Sequence, residues 1–151
     1  FPGARFRPEG RGDLGQRMAR PFHQLPPGPV VLIGSDIPEL GRPQVEAAFD
    51  ALGRQDAVFG PATDGGFWLV GMKRLRPAPP DLFRHARWSS QHALGDAIAT
   101  LPRGSRIGLL PPLSDVDTGD DYHAWCRAGA GRPRRLAGVG ARWRWRSPCF
   151  R

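Results

Sequence analysis

The sequence predicts an α/β layer fold in which helices cover a mainly parallel sheet. After a first helix, apolar and amphipathic segments follow in the order strand, helix, strand, strand, helix, strand, helix. Residues 30–33 (VVLI) are apolar at every position, which is typical of a strand buried on both faces of a parallel sheet. The chain has 151 residues, 40% of them hydrophobic, so we expect one domain with a substantial core.

The elements follow from local patterns along the chain. Residues 10–15 form a glycine-punctuated loop, and residues 16–25 carry apolar side chains at helical spacing. Pro43 suits the start of a second helix that Gly53 ends. Thr118 is placed to cap a closing helix, with Asp120 and Asp121 in its first turn. The other predicted elements are strands at 56–59, 67–70 and 106–110, a proline-rich loop at 75–83 and a helix at 93–101.

The net charge of +8 comes entirely from one end of the chain. Residues 1–121 hold 14 basic and 14 acidic residues, whereas residues 122–151 hold eight arginines and no acidic residue. Residues 142–146 (RWRWR) alternate cation and aromatic, a pattern that binds nucleic acid or an anionic membrane surface. A nucleic-acid domain would spread its basic residues over the folded body. We therefore expect residues 124–151 to be a disordered or non-native tail, and nucleic-acid binding to be confined to it if it occurs.

Composition also limits the cellular setting. No apolar run reaches the length of a membrane span, and no signal peptide opens the sequence. Cys126 and Cys149 form neither a metal-type nor a redox-type pair. We expect a cytoplasmic protein.

Acidic residues follow the predicted strands at positions suited to a metal. Asp36 and Asp117 come after apolar strands, and two carboxylates from different strand ends can share one hard cation such as Mg²⁺. Asp36 could instead cap the next helix, and Asp115 could be only a turn residue. Asp120 and Asp121 are explained by the helix N-terminus that they occupy.

Two further segments could contact a ligand. The pair Gly65-Gly66 after Asp64 allows close backbone approach, although paired glycines between strands commonly form a hairpin. The following pair Phe67-Trp68 adds a flat apolar wall. Residues 88–90 (Trp-Ser-Ser) suit a sugar ring or a base, but equally suit packing plus a helix cap.

Five segments in order resemble a known family. They are residues 12–18 (GDLGQRM), 33–38 (IGSDIP), 56–71 (DAVFGPATDGGFWLVG), 88–90 (WSS) and 115–118 (DVDT). The chain resembles the bacterial glycosyltransferase-A-like proteins known as rSAM/selenodomain-associated transferases, which are similar to molybdenum-cofactor and phospholactate guanylyltransferases. The resemblance covers about residues 10–123, so we assign residues 1–123 to a partial domain of this kind.

The resemblance implies a nucleotide-diphospho-sugar transferase (GT-A) fold, a three-layer α/β/α sandwich, with bound Mg²⁺ or Mn²⁺. It places Asp36 and Asp117 as the catalytic metal ligands. It places the nucleotide near Ser35 and the loop of Gly12, Asp13, Leu14 and Gly15. It places the transferred or accepting group near Asp64, Gly65, Gly66, Trp68, Trp88 and Ser89.

The chain departs from this family at both ends. Relatives begin with a strand and a basic glycine-containing loop for the nucleotide phosphates, and this chain starts after them. We therefore expect an N-terminally truncated domain with an open sheet edge, which a homodimer could cover. The basic tail also lacks a counterpart.

The leading functional hypothesis is a metal-dependent transferase that uses a nucleotide-activated substrate, either a nucleotide-sugar or a nucleoside triphosphate. The resemblance favours glycosyl transfer from a nucleotide-sugar. The alternatives are a guanylyltransferase-like nucleotidyltransferase acting on a small phosphorylated acceptor, and an inactive truncated remnant.

Overall fold

The computed structural model describes residues 7–114, 116 and 118–127. Four helices and four strands alternate along this part of the chain. The helices are α1 (Leu14–Gln24), α2 (Arg42–Arg54), α3 (Ala93–Ala99) and α4 (Gly119–Arg127). The strands are β1 (Val30–Ile33), β2 (Ala57–Pro61), β3 (Phe67–Met72) and β4 (Ile107–Leu109).

The four strands form one mixed sheet in the order β1-β3-β2-β4. Strand β3 pairs antiparallel with both β1 and β2, and only β2 and β4 pair in parallel. The expectation of a mainly parallel sheet is therefore wrong, because two of the three strand pairs in the described sheet are antiparallel. The reason is the short connection between β2 and β3, because a loop of a few residues can join only antiparallel neighbours.

Side chains of the sheet alternate between two apolar layers. On one face Phe59 and Val70 pack with Phe22 of α1 and Ala97 of α3. On the other face Val58 and Leu69 pack with Ala48 and Leu52 of α2. The helices thus cover both faces, which confirms the three-layer α/β/α arrangement expected for a GT-A-like fold.

The outer strands are less buried than the sequence predicts. Val30, Val31 and Leu32 are half-buried and Ile33 is 45% exposed, because β1 is an edge strand of the described sheet. Strand β4 forms the other edge and leaves Leu109 62% exposed. The expectation that residues 30–33 and 106–110 are buried strands is therefore wrong. An apolar run does not distinguish an edge strand from a central one.

The predicted helix ends are confirmed in two places. Pro43 lies in the first turn of α2. Backbone N–H groups of the first turn have no acceptor within the helix, so the N–H that proline lacks costs no hydrogen bond there. Thr118 precedes α4, and its Oγ1 accepts from the Asp121 backbone N–H at 3.2 Å. The Thr118 N–H in turn donates to Asp121 Oδ2 at 2.8 Å, which forms a reciprocal cap. Helix α4 continues past residue 123, across the predicted boundary between domain and tail.

Candidate functional site

A cleft of about 410 Å³ lies at the end of β1, beside the start of α1 and the β2–β3 hairpin. Ligands of open α/β sheets bind beyond the carboxyl ends of strands, which is where this cleft lies with respect to β1. Predicted site residues make up much of its wall. Those that border it are Leu14, Ser35, Asp36, Asp64, Gly66, Trp68, Trp88 and Ser89.

Asp36 is the exposed carboxylate at the end of β1. The strand is held there by the Gly34 N–H, which donates to the Trp68 carbonyl at 2.9 Å. A Cβ at Gly34 would lie only 2.8 Å from Asp36 Oδ1. The absence of a side chain at Gly34 therefore leaves room for this carboxylate. Within the part of the chain that the structure describes, the Asp36 carboxylate has no hydrogen-bond or ion-pair partner. It is therefore available to a ligand.

The segment after β4 approaches the same point. The Val116 backbone N–H donates to the Asp36 carbonyl at 3.1 Å. This bond places the Val116 backbone close to the end of β1. Asp115 and Asp117, which flank it in the sequence, lie outside the described residues.

The tip of the β2–β3 hairpin forms the second wall. Asp64 Oδ1 accepts from the Gly66 N–H at 2.8 Å, a turn that partly engages this carboxylate. Gly65 has a φ of +93°, and a Cβ there would lie 2.3 Å from Gln91 Cα. Asp64 and Gly66 border the cleft, whereas Gly65 instead packs against the backbone before α3. The hairpin interpretation of the glycine pair is confirmed.

Aromatic rings form the third wall. Trp88 and Phe67 both border the cleft, with their ring centroids 6.1 Å apart, and the buried Phe83 supports Trp88 from behind at 6.4 Å. Ser89 beside them is exposed and has a φ of +53°. Trp68 also borders the cleft, but its side chain is 3% exposed and belongs to the apolar layer under α2. Of the pair Phe67-Trp68, Phe67 therefore supplies the flat apolar surface of the cleft.

The glycine-punctuated loop before α1 has mainly a structural role. Asp13 caps the helix, because its Oδ1 accepts from the Gln16 N–H at 2.8 Å while Gln16 Oε1 accepts from the Asp13 N–H. Gly15 is buried, and a Cβ there would lie 2.7 Å from the Phe83 carbonyl oxygen. Gly12, Asp13 and Gly15 do not border the cleft, so of this loop only Leu14 does.

The donor set of the cleft suits a hard cation bound together with a phosphate. Among the residues described, no three His, Cys, Asp or Glu side chains form a group that could hold a metal by themselves. Mg²⁺ does not require such a cage, since it commonly binds one or two carboxylates, water and substrate phosphates. The exposed Asp36 carboxylate, which has no partner among the described residues, fits that mode of binding.

Two residues that the sequence analysis missed hold the loop of the aromatic wall. Asp96 of α3 pairs with Arg87, which directly precedes Trp88. Hydrogen bonds from the Arg87 guanidinium and then from its backbone N–H hold the pKa of the Asp96 carboxyl well below its usual range. His92 stands four residues before Asp96, a spacing at which helix side chains commonly meet, whereas the actual partner Arg87 is nine residues away. No local sequence pattern therefore indicates the Asp96–Arg87 pair.

A second cavity, of about 420 Å³, lies at the opposite end of β2. Its wall is basic, with Lys73, Arg74, Arg76 and Arg103. Two of these side chains tie loops together: Lys73 Nζ donates to the Gly53 carbonyl at 3.1 Å, and Arg74 donates to the carbonyls of Leu25 and Pro26. This cavity contains none of the predicted site residues.

In the described part of the chain, no helix has both the length and the apolar character needed to cross a bilayer.

Comparison with known proteins supports the fold and shows the family. The chain is similar to a solved structure from Desulfovibrio desulfuricans G20, described as a "putative nucleotide-diphospho-sugar transferase", with 29% identity and a TM-score of 0.67. The match covers 85% of this chain and 57% of the other, so the chain spans little more than half of that protein. The comparison with curated proteins gave no match. Residues 1–90 match the model of a family described as "uncharacterized protein conserved in bacteria" (DUF2064). The chain therefore belongs to the DUF2064 family.

Proposed function

We propose that this chain is part of a metal-dependent transferase that binds a nucleotide-activated donor, and that it takes part in glycosyl transfer from a nucleotide-sugar. The observation that carries the proposal is the exposed Asp36 carboxylate after β1, which has no partner among the described residues and borders a cleft in a fold similar to that of the Desulfovibrio protein. A phosphate-bound cation needs such a carboxylate, and neighbouring groups of the cleft suit the rest of a donor.

Asp36 and Asp117 are the residues that would hold Mg²⁺ or Mn²⁺. The Val116 N–H bond to the Asp36 carbonyl supports this pairing, since Val116 directly precedes Asp117 in the sequence. When bound, the cation supplies positive charge that stabilises the developing charge on the phosphate oxygens. Ser35 lies next to Asp36 with its side chain exposed at the cleft, where its hydroxyl can donate to a phosphate oxygen.

The remaining walls suit the rest of the donor. The faces of Trp88 and Phe67 offer an apolar surface for a base or for the apolar face of a sugar ring. Asp64 keeps one carboxylate oxygen that its turn does not engage, and this oxygen can accept from a sugar hydroxyl. In glycosyl transfer the bond between the anomeric carbon and the phosphate oxygen breaks, and a nucleoside diphosphate leaves.

The test is isothermal titration of the chain with UDP, GDP, UDP-glucose and GDP-mannose, each with and without Mn²⁺. We expect Mn²⁺-dependent binding that the variant Asp36→Asn loses. Asp50→Asn is the matched control, because Asp50 is an exposed carboxylate on α2 that does not line the cleft. Equal affinity of wild type and Asp36→Asn contradicts the assignment of Asp36. Absence of binding by a folded wild-type chain contradicts donor binding by this chain and favours an inactive remnant.

The same titration, extended to UTP and GTP, separates the two transfer reactions. Tighter binding of nucleoside triphosphate than of either nucleotide-sugar would favour nucleotidyl transfer to a phosphorylated acceptor, with release of pyrophosphate.

A further inference from the structure

We propose that Asp96 is a positioning residue for the candidate site: through Arg87 it fixes the loop that carries Trp88 and Ser89 in the wall of the cleft. The inference rests on the proposed function, because it assigns these two residues to the binding of the nucleotide-activated donor. It names a role for an ion pair that lies outside the cleft itself.

The pair joins the loop to α3 by three hydrogen bonds. Arg87 Nε donates to Asp96 Oδ2 at 2.8 Å and Arg87 Nη2 donates to Asp96 Oδ1 at 2.9 Å, which is a two-pronged guanidinium–carboxylate contact. The Arg87 backbone N–H also donates to Asp96 Oδ2 at 2.9 Å. This third bond matters most, because it fixes the main chain one residue before Trp88 and not only a flexible side chain.

The loop has a backbone that needs such a restraint. Phe83, His85 and Ser89 have φ values of 63°, 61° and 53°, in the left-handed region that residues other than glycine rarely adopt. Backbone conformations of this kind persist only where surrounding contacts hold them, and they cluster at functional sites. Arg87 lies within this strained stretch, and its carbonyl accepts a further bond from the Ser90 hydroxyl at 2.6 Å.

The opposite wall of the cleft is attached to the same helix. The Leu94 N–H donates to the Gly65 carbonyl at 3.1 Å, and Gly65 packs directly on the Gln91 backbone. Asp64 and Gly66 flank this anchor point. The start of α3 therefore joins the hairpin wall to the Trp88–Ser89 wall, and it sets the width of the cleft between them.

A neighbouring ion pair provides a matched control. Arg84 Nη1 contacts Asp81 Oδ1 at 2.8 Å, but both side chains are mostly exposed and this pair holds no backbone group of the cleft loop. Asp96 is more enclosed, with its side chain 23% exposed. Exposed ion pairs generally contribute little to stability, so Asp81→Asn removes a comparable charge without loosening the loop.

The experiment compares wild type, Asp96→Asn, Arg87→Lys and Asp81→Asn. Amide hydrogen exchange is measured over residues 84–92 and over β2 and β3, without ligand. Affinity is measured by titration with UDP-glucose and GDP-mannose in the presence of Mn²⁺, using whichever binds wild type more tightly. In Asp96→Asn we expect exchange over residues 86–90 to accelerate and the dissociation constant to rise about tenfold, because a charge-assisted, two-pronged contact is lost.

Arg87→Lys should give a smaller change in both measurements. Lysine keeps the charge but not the fork, while the backbone bond from residue 87 to Asp96 survives the substitution. Asp81→Asn should match wild type in both. This ranking distinguishes fixation of the loop from a general effect of charge.

Three outcomes would overturn the proposal. Unchanged exchange over residues 86–90 in Asp96→Asn would show that the pair does not hold the loop. Faster exchange with unchanged affinity would show that the loop position does not matter to the ligand. Accelerated exchange throughout β2 and β3 would show a general loss of stability. If wild type binds neither nucleotide-sugar, the proposed function fails together with the positioning role, and the exchange measurement still decides whether the pair holds the loop.

Discussion

Replacing Gly65 by alanine tests whether the hairpin wall of the cleft is fixed by close contact with α3. The alanine Cβ would lie 2.3 Å from Gln91 Cα and 2.8 Å from the Gln91 carbonyl carbon, both of them backbone atoms. Carbon atoms in contact are normally at least about 3.5 Å apart, so the hairpin and the residue 91 backbone must separate by roughly 1 Å. Helix α3 and the turn of residues 62–66 both oppose that movement, since the Leu94–Gly65 bond joins them.

The cost has two parts. Alanine at a φ of +93° costs about 1–2 kcal/mol relative to glycine, and forcing an additional carbon into a packed contact costs about 1–3 kcal/mol. Lower entropy of the unfolded alanine chain offsets about 0.4–1 kcal/mol. We therefore expect a decrease of roughly 1–5 kcal/mol in the free energy of unfolding.

Urea denaturation followed by circular dichroism measures this change. Gly95→Ala is the control, because Gly95 lies in α3 with open space around its Cβ position. Alanine there should raise the free energy of unfolding by about 0.5–1 kcal/mol through helix propensity. Surface substitutions usually change the free energy of unfolding by less than about 0.5 kcal/mol. A Gly65→Ala variant whose free energy of unfolding stays within that range of wild type would refute the close packing on which the cleft wall depends.

Three further substitutions test the cap, the core and the ion pair. Asp13→Ala should lower the free energy of unfolding by about 1 kcal/mol in urea denaturation, because it removes the reciprocal cap of α1; no change would show that the cap is unimportant. Phe59→Ala should cost about 3–5 kcal/mol in the same assay, because Phe59 is fully buried between the sheet and α1 and α3; a loss under 1 kcal/mol would contradict this packing. The pKa of Asp96 is lowered on folding, so its contribution to stability is complete above the usual carboxyl pKa of about 4 and is lost as the pH falls below it. The stability difference between wild type and Asp96→Asn should therefore be constant from pH 6 to pH 8 and shrink below about pH 4; a difference that grows on acidification would contradict the lowered pKa.

The order of the elements could be predicted from sequence because it depends on local patterns. Helical spacing of apolar residues, Pro43 near a helix start and Thr118 with Asp121 at a cap are all signals that a few neighbouring residues carry. These features appear in the structure at nearly the predicted positions. The layer arrangement then follows, since helices that alternate with strands can cover both faces of one sheet.

The position of a strand in the sheet, and with it the exposure of its side chains, could not be predicted in the same way. Residues 30–33 look buried on both faces, yet β1 is an edge strand of the described sheet with Ile33 half exposed. The position of a strand within a sheet depends on pairings between distant residues, which no local pattern records. The antiparallel direction of β3 was accessible, because the glycine pair already indicated a hairpin between β2 and β3.

In the site, too, local patterns indicate some residues, whereas contacts between distant residues appear only in the folded structure. Asp36 and Ser35 follow an apolar strand and Trp88 stands beside hydroxyl residues, and the structure places all three at the cleft. Asp13 and Gly15 lie away from the cleft, because this glycine-rich loop serves the helix cap and helix packing. The contact of Asp96 with Arg87 joins residues nine apart through a strained loop, and only the folded structure shows it.

The most direct test of the proposed donor site is paramagnetic broadening of backbone amide signals by Mn²⁺ in the presence of the tighter-binding nucleotide-sugar. We predict the strongest broadening at Gly34, Ser35, Asp36 and Val116, with weaker effects at Gly66 and Ser89, because these groups surround the cleft at the end of β1. Broadening around the basic cavity of Lys73 and Arg103 instead, or none in the cleft, would contradict the assignment of Asp36 and its neighbours as the site of a metal-bound donor.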